Sequence, residues 1–217
     1  MNLKSVIKDN IGPRPTWQDF RRFFTRQPAL WKMSFREFGK LKSIAAASML
    51  LALSIVLSYF DINLSPTLRI GFSFLANATI GMLFGPVVGA VMGGMGDVIK
   101  FLMHPTGPFF PGYTLTALLS GLVYGVFFYR YSVSWSRCFL GKLFVNFFLN
   151  IVLNTLWSSI LYGKGFWIIL GPRIWKNLAL LPVETILLYT VLSVMKKVYP
   201  KLSGTGRTNS SSSDNAA

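Results

Sequence analysis

Acidic residues are scarce in this chain. Seven Asp and Glu occur among 217 residues, and only Asp61, Asp97 and Glu184 fall between residues 41 and 202. His104 is the single histidine and Cys138 the single cysteine. One cysteine excludes an internal disulfide and any cysteine-based metal site. One histidine with three scattered carboxylates supplies neither a metal cluster nor an acid–base pair, which argues against an intramembrane enzyme. No metal and no cofactor are expected. The chain also lacks a His-Glu-x-x-His motif, a phosphate-binding-loop lysine motif and Gly-x-Ser-x-Gly. It therefore has no familiar means of hydrolysing ATP, and active transport would draw its energy from a partner or an ion gradient. The first long apolar run begins near Ser43, too late for a signal peptide, so the N-terminus is expected to be retained.

Charge is scarce overall. Charged residues make up 13% of the chain, against about a quarter in a soluble domain. What replaces them is apolar: 52% of residues, with a mean hydropathy of +0.49. The apolar residues come in blocks near the ~20 residues that a helix needs to cross a bilayer. The fold expected is an all-α polytopic membrane protein with six transmembrane helices. The spans run from about Ile44 to Tyr59, Ile70 to Phe84, Val87 to Met103, Tyr113 to Tyr129, Gly141 to Tyr162 and Arg173 to Val194. Gly85-Pro86 makes a tight turn. Residues 60–69, 104–112 and 163–172 read as outer loops, 130–140 as an inner loop, and Pro182 as a kink. Residues 1–41 form a basic, aromatic-rich arm, 42–198 the membrane domain, and 199–217 a low-complexity tail. The arm either lies in the headgroup region or is solvated; Pro13, Pro15 and Pro28 interrupt any long helix there.

The net charge of +15 is not a nucleic-acid signal. Seventeen of the 22 Lys and Arg lie on one side of these spans: ten up to Lys42, then Arg130, Arg137, Lys142, Lys196, Lys197, Lys201 and Arg207. That bias places both termini in the cytoplasm and fits anionic lipid headgroups. The other five, Arg69, Lys100, Lys164, Arg173 and Lys176, gather at the outer ends of the spans. Cations held there point to a pocket for an anionic solute arriving from outside.

Asn146, Asn150 and Asn154 share one helix face at four-residue spacing, near Trp157. Asn is costly against lipid, so this face should point inward. Asn146 suits interhelical hydrogen bonding; Asn154 and Trp157, nearer the outside, suit a ligand. Asp97 and Lys100 either neutralise each other or meet ligand. Glu184 either pairs with another helix or binds solute. Small residues recur at helical spacing: Ser48 and Ala52, then Gly81, Gly85, Gly89 and Gly93, then Gly121 and Gly125. The glycines suit packing within the chain.

Several stretches together are more specific. They are Pro66-Thr67-Leu68-Arg69-Ile70-Gly71-Phe72, Gly81-Met82-Leu83-Phe84-Gly85-Pro86-Val87-Val88-Gly89-Ala90 leading to Gly96-Asp97, and Pro105-Thr106-Gly107-Pro108-Phe109-Phe110-Pro111-Gly112-Tyr113-Thr114-Leu115. Leu153-Asn154-Thr155-Leu156-Trp157, Leu161-Tyr162-Gly163-Lys164 and Pro172-Arg173-Ile174-Trp175-Lys176-Asn177 follow. In this order and spacing the chain resembles the folate-family substrate-binding (S) components of energy-coupling factor (ECF) vitamin transporters, over roughly residues 42–195. The resemblance implies a high-affinity site for folate or reduced folates near the outer surface, closed by the first and third outer loops. It implies a transmembrane coupling subunit and two cytoplasmic ATPases as partners, in the plasma membrane of a Gram-positive-type bacterium, with toppling in the bilayer to release the vitamin inward. The contact with the coupling subunit, Ala-xxx-Ala in the family, is matched here by Ser48-xxx-Ala52.

Folate carries a flat hydrogen-bonding pterin, an aromatic linker and a glutamate with two carboxylates. Arg69, Lys100, Lys164, Arg173 and Lys176 are candidates for the carboxylates. Phe109, Tyr113 and Trp157 are candidates for stacking. Asp97 or Asn154 could read the pterin edge, and Thr114 and Asn177 complete the candidate set. The alternatives are an S component for a different vitamin, or a stand-alone carrier or channel.

Overall fold

The apolar blocks form helices, with one exception between the first two of them. The computed structural model describes residues 30–65, 68–105, 107–163 and 165–202. Helix α1 spans Leu41–Ser58 and buries Ser43, Ala47, Leu51 and Ser54 along one face. A two-stranded antiparallel ribbon follows, β1 (Ile62–Ser65) and β2 (Leu68–Ile70). Then come α2 (Phe74–Phe84), α3 (Pro86–Met103) and α4 (Pro111–Phe128). The fifth block is one continuous rod: α5 (Trp135–Phe144), a π-helical stretch (Val145–Leu153) and α6 (Asn154–Tyr162). Helix α7 runs unbroken from Phe166 to Leu202.

Four expectations change. The first outer loop is a hairpin, because Ile62-Asn63-Leu64-Ser65 and Leu68-Arg69-Ile70 alternate apolar and polar residues with the period of a strand. The second span consequently starts at Phe74 rather than Ile70. At 11 residues it is about 16 Å long, half of a hydrocarbon core. Among the described residues, five helices are long and apolar enough to cross a bilayer, counting the rod as one. The third outer loop is also shorter than expected, since α7 already begins at Phe166. Pro172 costs one backbone hydrogen bond there, but an open loop would cost several in an apolar setting. The inner loop ends at Ser134, because α5 begins at Trp135.

Helix α2 is short but central. It buries Ala76, Ala78, Thr79, Ile80, Gly81, Met82 and Phe84, so it is covered almost all round. Ala78 and Met82 face a core with Tyr124, Phe128, Leu149, Leu188 and Leu192, while Ile80 and Phe84 face one with Ala47, Leu51, Val88 and Met92. The outward surface is apolar too. Trp167, Ile168, Trp175, Leu178 and Ile186 of α7 are exposed, as lipid contact requires.

The glycines bring α3 and α4 into backbone contact. A Cβ on Gly89 would lie 2.6 Å from the Gly121 carbonyl oxygen, and one on Gly93 equally close to that of Ala117. A Cβ on Gly121 would overlap the Gly89 carbonyl. Overpacking usually costs about 1–3 kcal/mol, and here the neighbour is backbone that cannot swing aside. Gly121→Leu is therefore expected to abolish the monodisperse peak of purified protein in size-exclusion chromatography. Gly171→Leu, at a site with open space around it, should leave that peak intact.

Ser34, in the helical stretch at residues 30–37, is fully buried. Its hydroxyl donates to the Phe84 carbonyl at 2.9 Å and accepts from the Val87 N–H at 3.1 Å. It thus satisfies the end of α2 and the start of α3 together. Gly85 between them has φ +92°, and a Cβ there would meet Ser34 Oγ at 2.6 Å. The end of the basic arm is therefore pinned beneath the α2–α3 turn, which nothing in its sequence announced. Nearby, burial raises the Glu37 carboxyl, but hydrogen bonds from Lys40 and Ser43 outweigh it and hold the group below its ordinary value. Residues 1–29 of the arm and 203–217 of the tail lie outside the described residues.

Candidate functional site

At the end of the bundle that carries the hairpin, the helices enclose a cavity of about 440 Å³. Its wall comes from every helical block. Tyr59 and Asp61 follow α1, Asn77 belongs to α2, and Asp97, Lys100 and His104 come from the end of α3. Phe109 and Phe110 precede α4, which supplies Tyr113. Asn150, Asn154 and Tyr162 project from the rod, and Arg173, Lys176, Asn177 and Glu184 from α7.

Eight candidate residues meet here: Asp97, Lys100, Phe109, Tyr113, Asn154, Arg173, Lys176 and Asn177. The acidic side lies toward α1 and α3. Lys100 Nζ donates to Ser54 Oγ at 2.8 Å, in the field of Asp61 and Asp97. Asp61 Oδ1 accepts the Phe72 N–H at 3.2 Å, which ties the hairpin to the wall. A Cβ at 71 would come within 2.8 Å of that carboxylate, so a larger residue there would push the Asp61 side chain aside.

The opposite wall carries Arg173, only 8% exposed. Its Nη2 donates to Ser158 Oγ at 2.6 Å, and Ser158 Oγ shares a 2.7 Å hydrogen bond with the Tyr113 hydroxyl. Asn177 Nδ2 donates back to the Arg173 carbonyl at 2.9 Å. A guanidinium held this way has its fork preset, so little side-chain entropy remains to be lost on meeting a carboxylate.

Two candidates support the wall instead of lining it. Thr114 Oγ1 donates to Asp97 Oδ2 at 2.8 Å and so sets the carboxylate's orientation. Trp157 Nε1 donates to Thr116 Oγ1 at 3.1 Å, and its ring lies 5.7 Å from that of Phe110. Phe110, not Trp157, presents its ring to the cavity, with Phe101 and Phe109 packed together at 5.1 Å in the same wall. Of Arg69 only the backbone is described, paired with Asn63. Lys164 lies outside the described residues. Ser48 and Ala52 stand on the exposed face of α1, away from its buried face.

Other residues of the wall escaped the sequence reading. His104 looked like a loop residue; it caps the end of α3 and packs edge-on against Tyr59 with centroids 5.8 Å apart. The second outer loop contributes Gly107, Pro108 and Phe110 besides the candidate Phe109, beyond the first and third loops expected to close the site. Lys142, counted among the inner surface cations, is 2% exposed. Its long stem carries the ammonium inward, to 3.4 Å from Glu184 Oε2 and 3.4 Å from the centre of the Phe74 ring. Of the two roles left open for it, Glu184 takes the pairing with a neighbouring helix, and its side chain also stands in the cavity wall.

Chemically, the cavity combines fixed cations, carboxylate and amide acceptors, and aromatic surfaces. It suits a flat, hydrogen-bonding anion. The protein-family model described as "ECF transporter, substrate-specific component" matches residues 42–192. Folate transporter FolT of Clostridium novyi (strain NT) is 33% identical over 165 residues, covering 73% of this chain and 96% of the relative. FolT of Leuconostoc mesenteroides is 29% identical over 175 residues, covering 78% and 91%. A solved structure of FolT bound with folic acid aligns with TM-score 0.67 at 34% identity, over 71% of this chain and 94% of that one. With the family model spanning most of the membrane domain and a near-full-length relative above 30% identity, the chain belongs to the substrate-specific components of ECF transporters.

Proposed function

We propose that this chain is the folate-binding subunit of an ECF-type vitamin importer. It binds folate or a reduced folate at the outer face and releases it inward, while a coupling subunit and two ATPases supply the energy. The observation that carries the reading is the two-sided cavity. Buried Arg173, with Lys176 beside it, offers the cationic wall for the glutamate carboxylates. Asp97 and Asn154 offer acceptors for the N–H edge of a pterin. Phe110 and Phe109 give apolar surface for the rings between. The names of the relatives, and the folic acid bound in the solved FolT structure, support the same substrate.

In the plasma membrane of a Gram-positive-type bacterium, the helices make six crossings, the second completed by the segment between the hairpin and α2. Both termini lie in the cytoplasm, since Lys40, Lys42, Arg130, Arg137, Lys196 and Lys197 sit at one end of the bundle. The chain itself performs no catalysis, and ATP is hydrolysed by its partners.

Calorimetric titration of the purified protein tests the substrate. Folate is expected to bind at least tenfold tighter than riboflavin or thiamine, a difference of about 1.4 kcal/mol. Equal or weaker binding of folate rules the assignment out.

A further inference from the structure

The cavity ends in a line of amides with a fixed direction. Asn154 Nδ2 donates to Asn150 Oδ1 at 3.3 Å, and Asn150 Nδ2 to Asn146 Oδ1 at 2.9 Å. Asn146 Nδ2 donates in turn to Glu184 Oε2 at 2.8 Å. Part of the line lies in the π-helical stretch, whose wider turn stacks residues four apart more directly than an α-helix does. A primary amide offers donors on one side and an acceptor on the other, whereas a carboxylate offers acceptors only. Glu184 Oε2 also faces the buried Lys142 ammonium at 3.4 Å, which fixes this end of the line as an acceptor.

The constraint passes along the line. Asn146 must turn its NH₂ toward Glu184 and its carbonyl toward Asn150. Asn150 must then do the same toward Asn154. At the cavity, Asn154 Oδ1 is left buried with no hydrogen-bond partner among the described residues. An unpaired buried acceptor is rare and costly, and a ligand N–H aimed at it would remove the cost.

We propose that Glu184 is a positioning residue for ligand selection. Acting through Asn146 and Asn150, it orients Asn154 so that an acceptor faces the ligand, and the site therefore selects a molecule that presents an N–H donor at that point. A pterin edge carries such donors, so this rests on the folate reading and adds a device to it. Glu184→Gln frees the line to reverse. The amide introduced by that substitution can accept from Lys142 and donate to Asn146, and Asn154 then turns its NH₂ toward the ligand's own donor.

Because Glu184 also lines the cavity, the test must separate direct contact from action through the line. Folate is titrated calorimetrically into purified wild-type protein, E184Q, N154D and the N154D/E184Q double variant, with thermal unfolding followed on each. In N154D the cavity end is an acceptor whatever the line does. Glu184→Gln is expected to weaken folate about tenfold in the wild-type background and to change it by less than about threefold in the N154D background. An equal loss in both backgrounds overturns the inference, and so does unchanged affinity in E184Q. If E184Q fails to fold, N146D/E184Q returns a carboxylate to the line next to Lys142. That relocated carboxylate accepts both from the glutamine amide and from Asn150, and near-wild-type affinity is expected; a tenfold loss in that folded variant overturns the inference. Absence of folate binding by the unmodified protein strikes instead at the folate reading on which it rests.

Discussion

Arg173→Ala is expected to weaken folate binding by about 1.5–3 kcal/mol, roughly ten- to more than a hundredfold in Kd, the range for a lost charge-assisted hydrogen bond. Among the described residues, Arg173 is the most deeply buried arginine, and its guanidinium suits a carboxylate bidentately. Its Nη2 is already oriented by Ser158, and Ser158 by Tyr113. Arg173→Lys should recover only part of the loss, because an ammonium lacks the planar fork. Arg137→Ala serves as the control. Arg137 lies at the other end of the bundle, where its guanidinium covers the Tyr131 ring at 4.4 Å. Its removal should leave folate affinity unchanged. Titration of the three variants beside thermal unfolding decides. If Arg173 acts only as a clamp between α7 and the rod, Arg173→Ala lowers the unfolding temperature while the folded fraction keeps its affinity. Equal behaviour of Arg137→Ala and Arg173→Ala defeats the argument from outer cations.

Much of this was legible in the chain because membranes make some mistakes expensive. A cation or an asparagine in an apolar block must face inward, so the residues converging on the cavity could be named before any contact was known. Five of them, Lys100, Asn154, Arg173, Lys176 and Asn177, line its wall. What could not be read is which residue holds which. Thr114 and Trp157 have the chemistry of ligand residues, yet the structure places them behind Asp97 and Phe110. That distinction depends on side-chain direction across α3, α4 and the rod, and spacing along one helix does not carry it. Lys142 misled for a related reason, since its stem is long enough to move the charge well away from its backbone position. Among the elements, α2 started late because Ile70-Gly71-Phe72 is as apolar as a helix, while the alternation that made a strand of its first residue lay upstream. The π-helical turns have no composition of their own. They become intelligible only through the asparagines they stack.

The largest effect on transport is expected from a residue that touches no ligand. Ala52→Trp should leave folate binding intact and abolish ATP-dependent uptake by the reconstituted complex. Ser48 and Ala52 are one helical turn apart on α1, and both are exposed, while the helix packs on the bundle through Ser43, Ala47, Leu51 and Ser54. In water such a face would mean little. In a bilayer, lipid tails are as apolar as any side chain, so what a pair of small residues offers is closeness: a second helix can bring its backbone near. The resemblance places the coupling subunit there. An indole at position 52 would hold that helix away. Because the side chain points out of the bundle, it should not displace the core of Leu51, Ile80 and Met92 beneath. Packing of Ala52 within the chain would give a different outcome, since overpacking would then disturb the fold and lower binding together with uptake. Both quantities are measured on one preparation, with folate titration for the isolated subunit and uptake into proteoliposomes for the complex. Normal uptake removes this face from the coupling interface. Joint loss of binding and uptake shows that position 52 belongs to the fold. Loss of uptake alone assigns α1 to the partner.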